Sequence, residues 1–378
     1  MNMVLMCREK PACRIEYDQE ANAILQMLAV DEDLLPFIVK NHRYTGRTQR
    51  ELLNEWFRNR GIPKLRDGYD ESSLMNEKSI LGKTWYAASL SDQFWIRNEN
   101  DSVTWDNINF FSNSYDHELS FGSNDKSNHP NRTTSGNVKK TWIQENGTNY
   151  LLKGGYEKRT QEPLNEVLAS MIAEELHIEH VVYSTAAYEN HFVCKCPCMI
   201  NDHEEMISAY DIFRGFSRKA NSNGYQHYRN CLHQLGIMNT DAVDRMFVLD
   251  YLIMNEDRHM ENFALIRNTE DRNDYRIAPV YDSGSSMNSQ KLDFEKNYEN
   301  GSCKFFDETD YDFDKMINEV EGIESVDLSG MSRINDQWTA LLQSTQESSH
   351  LSDQNILDLH NGLNRRIELL EAKQIGRI

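Results

Sequence analysis

The chain has 378 residues, 39% hydrophobic and 26% charged, a composition that excludes collagen-like, low-complexity and largely disordered proteins. Sixty acidic side chains against 40 basic ones give a formal net charge of −20, which argues against nucleic acid and anionic membranes as partners. No apolar run approaches the roughly 18 residues that a membrane-spanning helix needs. The seven cysteines are odd in number and unevenly spread, which disfavours a disulfide framework and predicts a cytoplasmic protein.

Changes in hydrophobic period divide the chain into three regions. Residues 1–110 are mixed, and we interpret them as an N-terminal extension. They contain one predicted helix, Gln49–Asn59, in which Leu52, Leu53, Trp56 and Phe57 recur at helical spacing. Residues 111–198 show short strand patterns, and helical patterns dominate residues 199–378.

The strand-rich region predicts strands at 140–144, 150–153, 181–184 and 192–196. One helix interrupts them, with Pro163 expected at its first position. The last region predicts helices over 204–214, 222–236, 240–254, 311–321, 332–346 and 352–373. Together these patterns indicate an α+β fold, with a strand-rich lobe followed by a larger helical lobe.

Oxygen-bearing side chains follow the very apolar segment 246–254. Asp257 and Asn262 come first, and two predicted strands, 263–267 and 275–280, then deliver Asp282. A hairpin of this kind returns Asp282 to the neighbourhood of Asp257 and Asn262. Mg²⁺ takes oxygen ligands and bridges substrate phosphates with one or two protein carboxylates, so Asn262 and Asp282 are the candidate metal ligands. Asp257 suits a general base that accepts the proton of an acceptor hydroxyl; the alternative is that these residues only cap a helix and begin a turn.

Positive charge for the phosphates is predicted at Lys153, at the end of the strand 150–153. The following helix offers Glu166 as its partner, although Lys–Glu pairs are common on surfaces and Glu162 lies one turn earlier. Upstream lies a turn rich in small residues, Thr133-Thr134-Ser135-Gly136-Asn137-Val138-Lys139-Lys140. It is suited to placing backbone N–H groups over phosphates, and the alternative is that it is an ordinary loop.

Across about 115–375 the sequence resembles the HipA-like serine/threonine kinases, a divergent branch of the protein-kinase-like fold. The matching features are Tyr150-Leu151-Leu152-Lys153, Asn165-Glu166, Asn255-x-Asp257-Arg258-His259-x-x-Asn262-Phe263 and Ala278-Pro279-Val280-Tyr281-Asp282-Ser283-Gly284-Ser285. The resemblance implies a two-lobed fold with the catalytic base at Asp257, Mg²⁺ ligands at Asn262 and Asp282, and ATP contact from Lys153 paired with Glu166.

The same resemblance implies that adenine lies on the connector near Cys196 to Met199, and that phosphates lie near Ser135 and Gly136. Some relatives autophosphorylate a serine in this loop, so Ser135 is a candidate for that modification. The substrates implied are ATP and a protein with a Ser or Thr acceptor. In the extension, the segments 81–86 and 105–111 are closer to a short, stand-alone branch. An antitoxin-like regulator is compatible with the resemblance but is not specifically indicated.

Three alternatives stay open. The Asp257-Arg258-His259-x-x-Asn262 string also resembles phosphoinositide kinases, and small-molecule kinases use a similar carboxylate–amide spacing. A non-catalytic nucleotide-binding or interaction module would use the basic segment 39–67 on a kinase scaffold, but Lys153, Asp257, Asn262 and Asp282 are all present, which favours activity. Transfer of AMP instead of a phosphoryl group is compatible with the same residues.

Overall fold

The computed structural model describes residues 1–60, 86–115, 128–155 and 160–376, apart from the side chain of Arg132. Its strands are β1 Asn2–Cys7, β2 Lys10–Asp18, β3 Ala23–Leu28, β4 Phe94–Asn98, β5 Lys140–Glu145, β6 Thr148–Lys153, β7 Ser184–Tyr188, β8 His191–Pro197, β9 Glu204–Ser208, β10 Ala264–Asn268, β11 Tyr275–Ile277, β12 Ser302–Phe305 and β13 Glu308–Asp312. Its helices are α1 Phe37–Lys40, α2 Gln49–Asn59, α3 Trp105–Ile108, α4 Gln161–Glu175, α5 Ala209–Arg214, α6 Gly224–Gln234, α7 Asp241–Ile253, α8 Phe313–Glu319, α9 Met331–Ser344, α10 Gln346–Ser349 and α11 Asp353–Gln374.

The chain divides into two compact units, each built from three stretches of sequence. The first unit comprises Met1–Leu152, Pro197–Arg218 and Ile266–Tyr275. The second comprises Lys153–Cys196, Lys219–Leu265 and Arg276–Ile378. The sequence-based division into 1–110, 111–198 and 199–378 stays a prediction. The two compact units group residues by their mutual contacts, so they do not test the boundaries of the predicted lobes.

The first unit contains an antiparallel sheet in the order β3-β2-β1-β4. Successive side chains of a strand point to opposite faces, and both faces of β1 are buried. Met3, Leu5 and Cys7 belong to the core that includes Leu52 and Phe57 of α2. The neighbouring residues of β1 pack instead into a second core on the other face, which includes Val4, Met6, Trp95, Trp105 and Ile108.

The second unit is mostly helical. Its long apolar helix α7 packs against α4 and α11, and α9 packs against both α4 and α11. Ten of the residues of α7 are buried, which explains its apolar sequence. The antiparallel pair β7–β8 and the hairpin β12–β13 belong to the same unit.

The predicted α+β class is confirmed, and most predicted helices match the structure to within a few residues. Gln49–Asn59 is α2, begun by a capping box in which Thr48 and Glu51 exchange hydrogen bonds. The predicted helices at 222–236, 240–254, 311–321, 332–346 and 352–373 correspond to α6, α7, α8, α9 and α11. In the described part of the chain, no helix is long and apolar enough to cross a bilayer.

Three local predictions are wrong. The segment 204–214 is not one helix, because β9 occupies its first half and buries Glu205 and Ile207 at strand spacing. The strand predicted at 181–184 begins only at Ser184 and runs to Tyr188. Pro163 is the third residue of α4, where a missing N–H is still harmless because the first turn lacks helical acceptors.

The four-stranded sheet of the first unit has no counterpart among the sequence predictions. Because β1 is buried on both faces, its sequence lacks the alternation of polar and apolar residues that reveals a half-exposed strand. Of the two segments noted in the extension, 105–111 contains α3, and 81–85 lies outside the described residues.

Candidate active site

Lys153 lies at the centre of a buried ion cluster in the second unit. It ends β6, and its ammonium group contacts the carboxylate of Glu166 on α4. The same Nζ atom lies 2.6 Å from Oδ1 of Asp282. Lys153 and Glu166 are buried, whereas the Asp282 side chain keeps 35% of its exposure and can still reach a ligand.

The choice between Glu162 and Glu166, which the sequence left open, is decided by this cluster. Glu166 pairs with Lys153, and Glu162 accepts a hydrogen bond from Nε2 of Gln290. Both carboxylates are one helical turn apart on α4, so only the position of the helix against its neighbours selects between them.

Electrostatics keep Lys153 charged. Burial by itself would lower the pKa of Lys153, but the carboxylates of Asp282 and Glu166 outweigh it and raise that pKa well above its usual value. The pKa values of two neighbouring acidic groups are raised as well, which keeps those groups neutral. Burial, reinforced by the Glu166 charge, raises the pKa of Tyr183 and of the Cys194 thiol, so both stay protonated.

Asp282 has an unusual backbone conformation. Its φ of 57° lies in the left-handed region, which costs a non-glycine residue energy and is concentrated at functional sites. The next residue, Ser283, donates its N–H to Oε2 of Glu166 at 2.9 Å. Glu166 therefore holds both the lysine and the chain that follows Asp282.

A second contact from α4 fixes the chain after Asp282. The buried amide of Asn165 donates to the carbonyl oxygens of Gly284 at 2.9 Å and Ser286 at 2.7 Å. Two adjacent helical residues, Asn165 and Glu166, thus bind one segment, which agrees with their joint appearance in the sequence motif.

The loop that carries Asp257 and Asn262 begins where α7 ends in a left-handed residue, Met254. Asn255 donates its side-chain amide to Oδ1 of Asp250 and accepts the backbone N–H of Asp257. Asn262 donates its Nδ2 to the backbone oxygen of Asp257 at 2.8 Å. These bonds turn the loop back on itself and leave the amide oxygen of Asn262 as an acceptor.

Arg258 joins this loop to the segment of Asp282. It is fully buried, and its guanidinium forms an ion pair with Asp250 at 2.8 Å. It also donates to the Asn262 carbonyl at 2.7 Å, the Tyr281 carbonyl at 2.5 Å and the Ser283 hydroxyl at 2.9 Å.

The predicted return of Asp282 toward Asp257 and Asn262 thus occurs through Arg258, whose partners flank Asp282. Burial by itself would lower the pKa of Arg258, but Asp250 outweighs it and raises that pKa. Sequence reasoning noted Arg258 only as part of a string and missed Asp250, which lies inside the apolar helix.

The carboxylate of Asp257 is half-exposed and contacts the ammonium of Lys304. Nε2 of His259 lies 3.8 Å from its other oxygen. Lys304 comes from β12, 47 residues further along the chain, and the sequence contains no local signal for this pairing.

The donor set suits Mg²⁺. Asp282 offers carboxylate oxygens and Asn262 an amide oxygen, which are the hard ligands that this ion prefers beside substrate phosphates and water. No cluster of three or more His, Cys, Asp or Glu side chains that could hold a metal occurs in residues 1–60, 86–115, 128–155 and 160–376. A metal at Asp282 and Asn262 would depend on phosphate oxygens and water for the rest of its ligands.

The remaining predicted ATP contacts are distributed over both units. Ser135 is exposed and Gly136 half-buried in the first unit, and Gly136 has a φ of 92° that favours glycine. A Cβ at Gly136 would also collide with Nζ of Lys140. Met199 is half-buried in the first unit, and Cys196 is buried in β8 of the second. Their roles as nucleotide contacts stay predictions.

An open cavity of about 570 Å³ lies in the first unit. Arg43, Arg47 and Arg50 of the basic segment line it together with apolar side chains of β3. None of the predicted site residues lines this cavity.

Comparisons with known proteins agree with the sequence resemblance. The family model described as the HipA-like C-terminal domain matches residues 132–338. No curated protein sequence matches the chain.

Two solved structures are similar at low identity. The Helicobacter pylori proinflammatory kinase CtkA is 17% identical, with 63% of this chain and 94% of that chain covered and a TM-score of 0.48. HipA of Shewanella oneidensis MR-1, in a toxin–antitoxin complex with HipB and operator DNA, is 12% identical, with 99% and 97% covered and a TM-score of 0.47.

The family match includes β5, β6 and α4, the loop from Asn255 to Asn262 and the segment of Asp282. Since it spans more than half of the 378 residues, the chain belongs to the family of proteins with a HipA-like C-terminal domain.

Proposed function

We propose that the protein is an ATP- and Mg²⁺-dependent kinase that transfers the γ-phosphoryl group of ATP to a Ser or Thr hydroxyl of a protein. The observation that carries the proposal is the buried Lys153–Glu166–Asp282 cluster, which Arg258 ties to the loop of Asp257 in the same unit. A lysine held by a carboxylate, beside a metal-binding aspartate, is the arrangement that phosphoryl transfer requires.

Each residue has a proposed role. Lys153 donates hydrogen bonds to ATP phosphate oxygens, and Glu166 keeps its ammonium in place. Asp282 and Asn262 hold Mg²⁺, which supplies positive charge to the phosphates when bound. Asp257 orients the acceptor hydroxyl and takes its proton as the oxygen bonds to the γ-phosphorus and the bond to ADP breaks.

Further parts of the proposal follow from the family resemblance. Cys196 and Met199 contact adenine, Ser135 and Gly136 contact phosphate, and Ser135 is the candidate autophosphorylation site. We propose a cytoplasmic location, supported by seven cysteines, none of which forms a disulfide. An antitoxin-like regulator is compatible with this proposal, although the sequence does not specifically indicate one.

The test is mass spectrometry of the wild-type protein and an Asp257→Asn variant after incubation with Mg-ATP and casein as a protein acceptor. We expect phosphate on Ser or Thr with the wild type only, and a loss of transfer of at least about 10²-fold in the variant, because the base is removed. Glu261→Gln is the matched control, since Glu261 is an exposed carboxylate of the same loop.

Mg-ATP binding by Asp257→Asn, measured by calorimetry, should stay close to that of the wild type, because Asp257 is not a proposed metal ligand. Undiminished transfer by Asp257→Asn would contradict the assignment of the base. Transfer of AMP, or phosphorylation of small molecules and lipids with none of protein, would replace the proposed reaction with one of the alternatives.

A further inference from the structure

Lys304 is placed against the proposed base by the fold and not by the sequence motif. Its ammonium group contacts the Asp257 carboxylate. Its backbone N–H donates to the carbonyl of Glu256, the residue before Asp257, at 3.2 Å. Two separate contacts therefore join β12 to the loop of Asp257.

The hairpin that carries Lys304 is anchored next to this contact. β12 pairs with β13, and the two residues after Lys304 are buried phenylalanines. The ring of Phe305 lies 4.9 Å from that of Phe247 on α7, and the ring of Phe306 lies 5.8 Å from that of Phe263. Because Phe247 and Phe263 flank the Asp257 loop in sequence, the same aromatic core positions both the base and the lysine.

The contact is open to a ligand. The side chains of Lys304 and Asp257 both keep 38% of their exposure. An ammonium group has three N–H donors. In the described part of the chain the Lys304 ammonium donates to the Asp257 carboxylate, so further N–H groups can donate to a ligand. An exposed cation beside a proton acceptor is suited to bind a second anionic group, which at this place is the phosphoryl group being transferred.

We propose that Lys304 is a further catalytic residue of phosphoryl transfer, which contacts the γ-phosphoryl oxygens while it holds Asp257 toward the acceptor hydroxyl. The inference rests on the proposed function. As the acceptor oxygen bonds to phosphorus and ADP leaves, the hydroxyl proton goes to Asp257, and Lys304 stays protonated and stabilises the charge on the transferring group.

The experiment compares Lys304→Gln with the wild type in casein phosphorylation, Mg-ATP binding and thermal unfolding. Lys291→Ala is the matched control, because Lys291 pairs at 2.6 Å with Glu256, the residue next to Asp257. We expect Lys304→Gln to lower kcat by about 10²- to 10³-fold, as for other groups that stabilise a transition-state charge. The Kd for Mg-ATP and the unfolding midpoint should stay near wild type, and Lys291→Ala should keep kcat within about twofold.

The outcomes separate this inference from the function on which it rests. If the wild type transfers no phosphate, the proposed function itself fails. If the wild type is active and folded Lys304→Gln keeps its kcat, or exceeds it because the lysine blocks Asp257, the role of Lys304 is refuted. Should Lys304→Gln unfold, Lys304→Arg decides: a kcat within about tenfold of wild type supports a cationic role, and a loss equal to that of Asp257→Asn overturns it.

Discussion

At the scale of single residues, the organisation of the site depends on buried charges that are paired with charges of opposite sign. Arg258 and Asp250 each keep 1% of their side-chain exposure, and the arginine donates to three further groups. A buried charge is tolerable only when it is paired and hydrogen-bonded. The Asp250–Arg258 pair thus connects the loop of Asp257 to the segment of Asp282 through buried hydrogen bonds.

Removal of one partner of the Asp250–Arg258 pair should lower the stability of the protein. We expect Asp250→Ala to lower the free energy of unfolding by about 3–5 kcal/mol, because Arg258 would be left buried without its counter-charge. Urea denaturation measures this loss. The control is Glu299→Ala, which breaks the exposed ion pair with Arg365 and should cost far less. Equal effects of the two substitutions would show that burial does not govern the Asp250–Arg258 pair.

At the scale of elements, α4 is the helix that organises the second unit. It packs on α7 and α9, presents Glu166 to Lys153 and presents Asn165 to the chain after Asp282. The helix α4 therefore supports the core of the second unit by its packing, and it orients the site through the successive residues Asn165 and Glu166.

The contribution of α4 is measurable through Asn165. Asn165→Ala should destabilise the protein by about 1–3 kcal/mol, because two buried hydrogen bonds, to the carbonyls of Gly284 and Ser286, are lost, although each carbonyl keeps a backbone donor. Mg-ATP affinity should fall as well, since the neighbouring Asp282 is no longer held in place. Asn230→Ala on α6, whose side-chain amide donates to the carbonyl of Gln226 in its own helix, is the control for thermal unfolding and calorimetry. Unchanged affinity in Asn165→Ala would separate this segment from nucleotide binding.

At the scale of the whole molecule, the cysteines behave as core residues of a reduced protein. None of the seven forms a disulfide, and six of them are buried. Burial raises the pKa of Cys7 and Cys198 to about 11 and that of Cys13 to about 12. At neutral pH these groups are therefore uncharged thiols, and only the thiolate form is reactive.

A thiol titration checks this description. At pH 8 the native protein should react slowly with a disulfide reagent, because six of its seven thiols are buried and burial raises the pKa values of Cys7 and Cys13 among them. After denaturation without any reductant, seven equivalents should react. Fewer than seven would reveal a disulfide, and rapid reaction of several thiols in the native protein would contradict their burial.

Short-range patterns were sufficient for much of the fold. The helix Gln49–Asn59 and the two strands before Asp282 follow from local periodicity and capping, as do the helices α6, α7, α8, α9 and α11. The motif residues from Asn255 to Asn262 are similarly close in sequence, so their spacing by itself indicates that one loop brings them together. The strand β9 was mistaken for helix, because burial of Glu205 depends on Arg267, a partner 62 residues away.

By itself, the sequence determined the α+β class and indicated Lys153, Asp257, Asn262 and Asp282 as candidate site residues, because these depend on composition, periodicity and spacing over a few residues. The candidates Ser135, Gly136, Cys196 and Met199 came from the family resemblance. Only the tertiary structure decided that Glu166 and not Glu162 pairs with Lys153, and that Lys304 contacts Asp257. The physical reason is distance along the chain: packing of helices and hairpins against one another selects these partners, and a carboxylate or lysine carries no local sign of which distant charge it will meet.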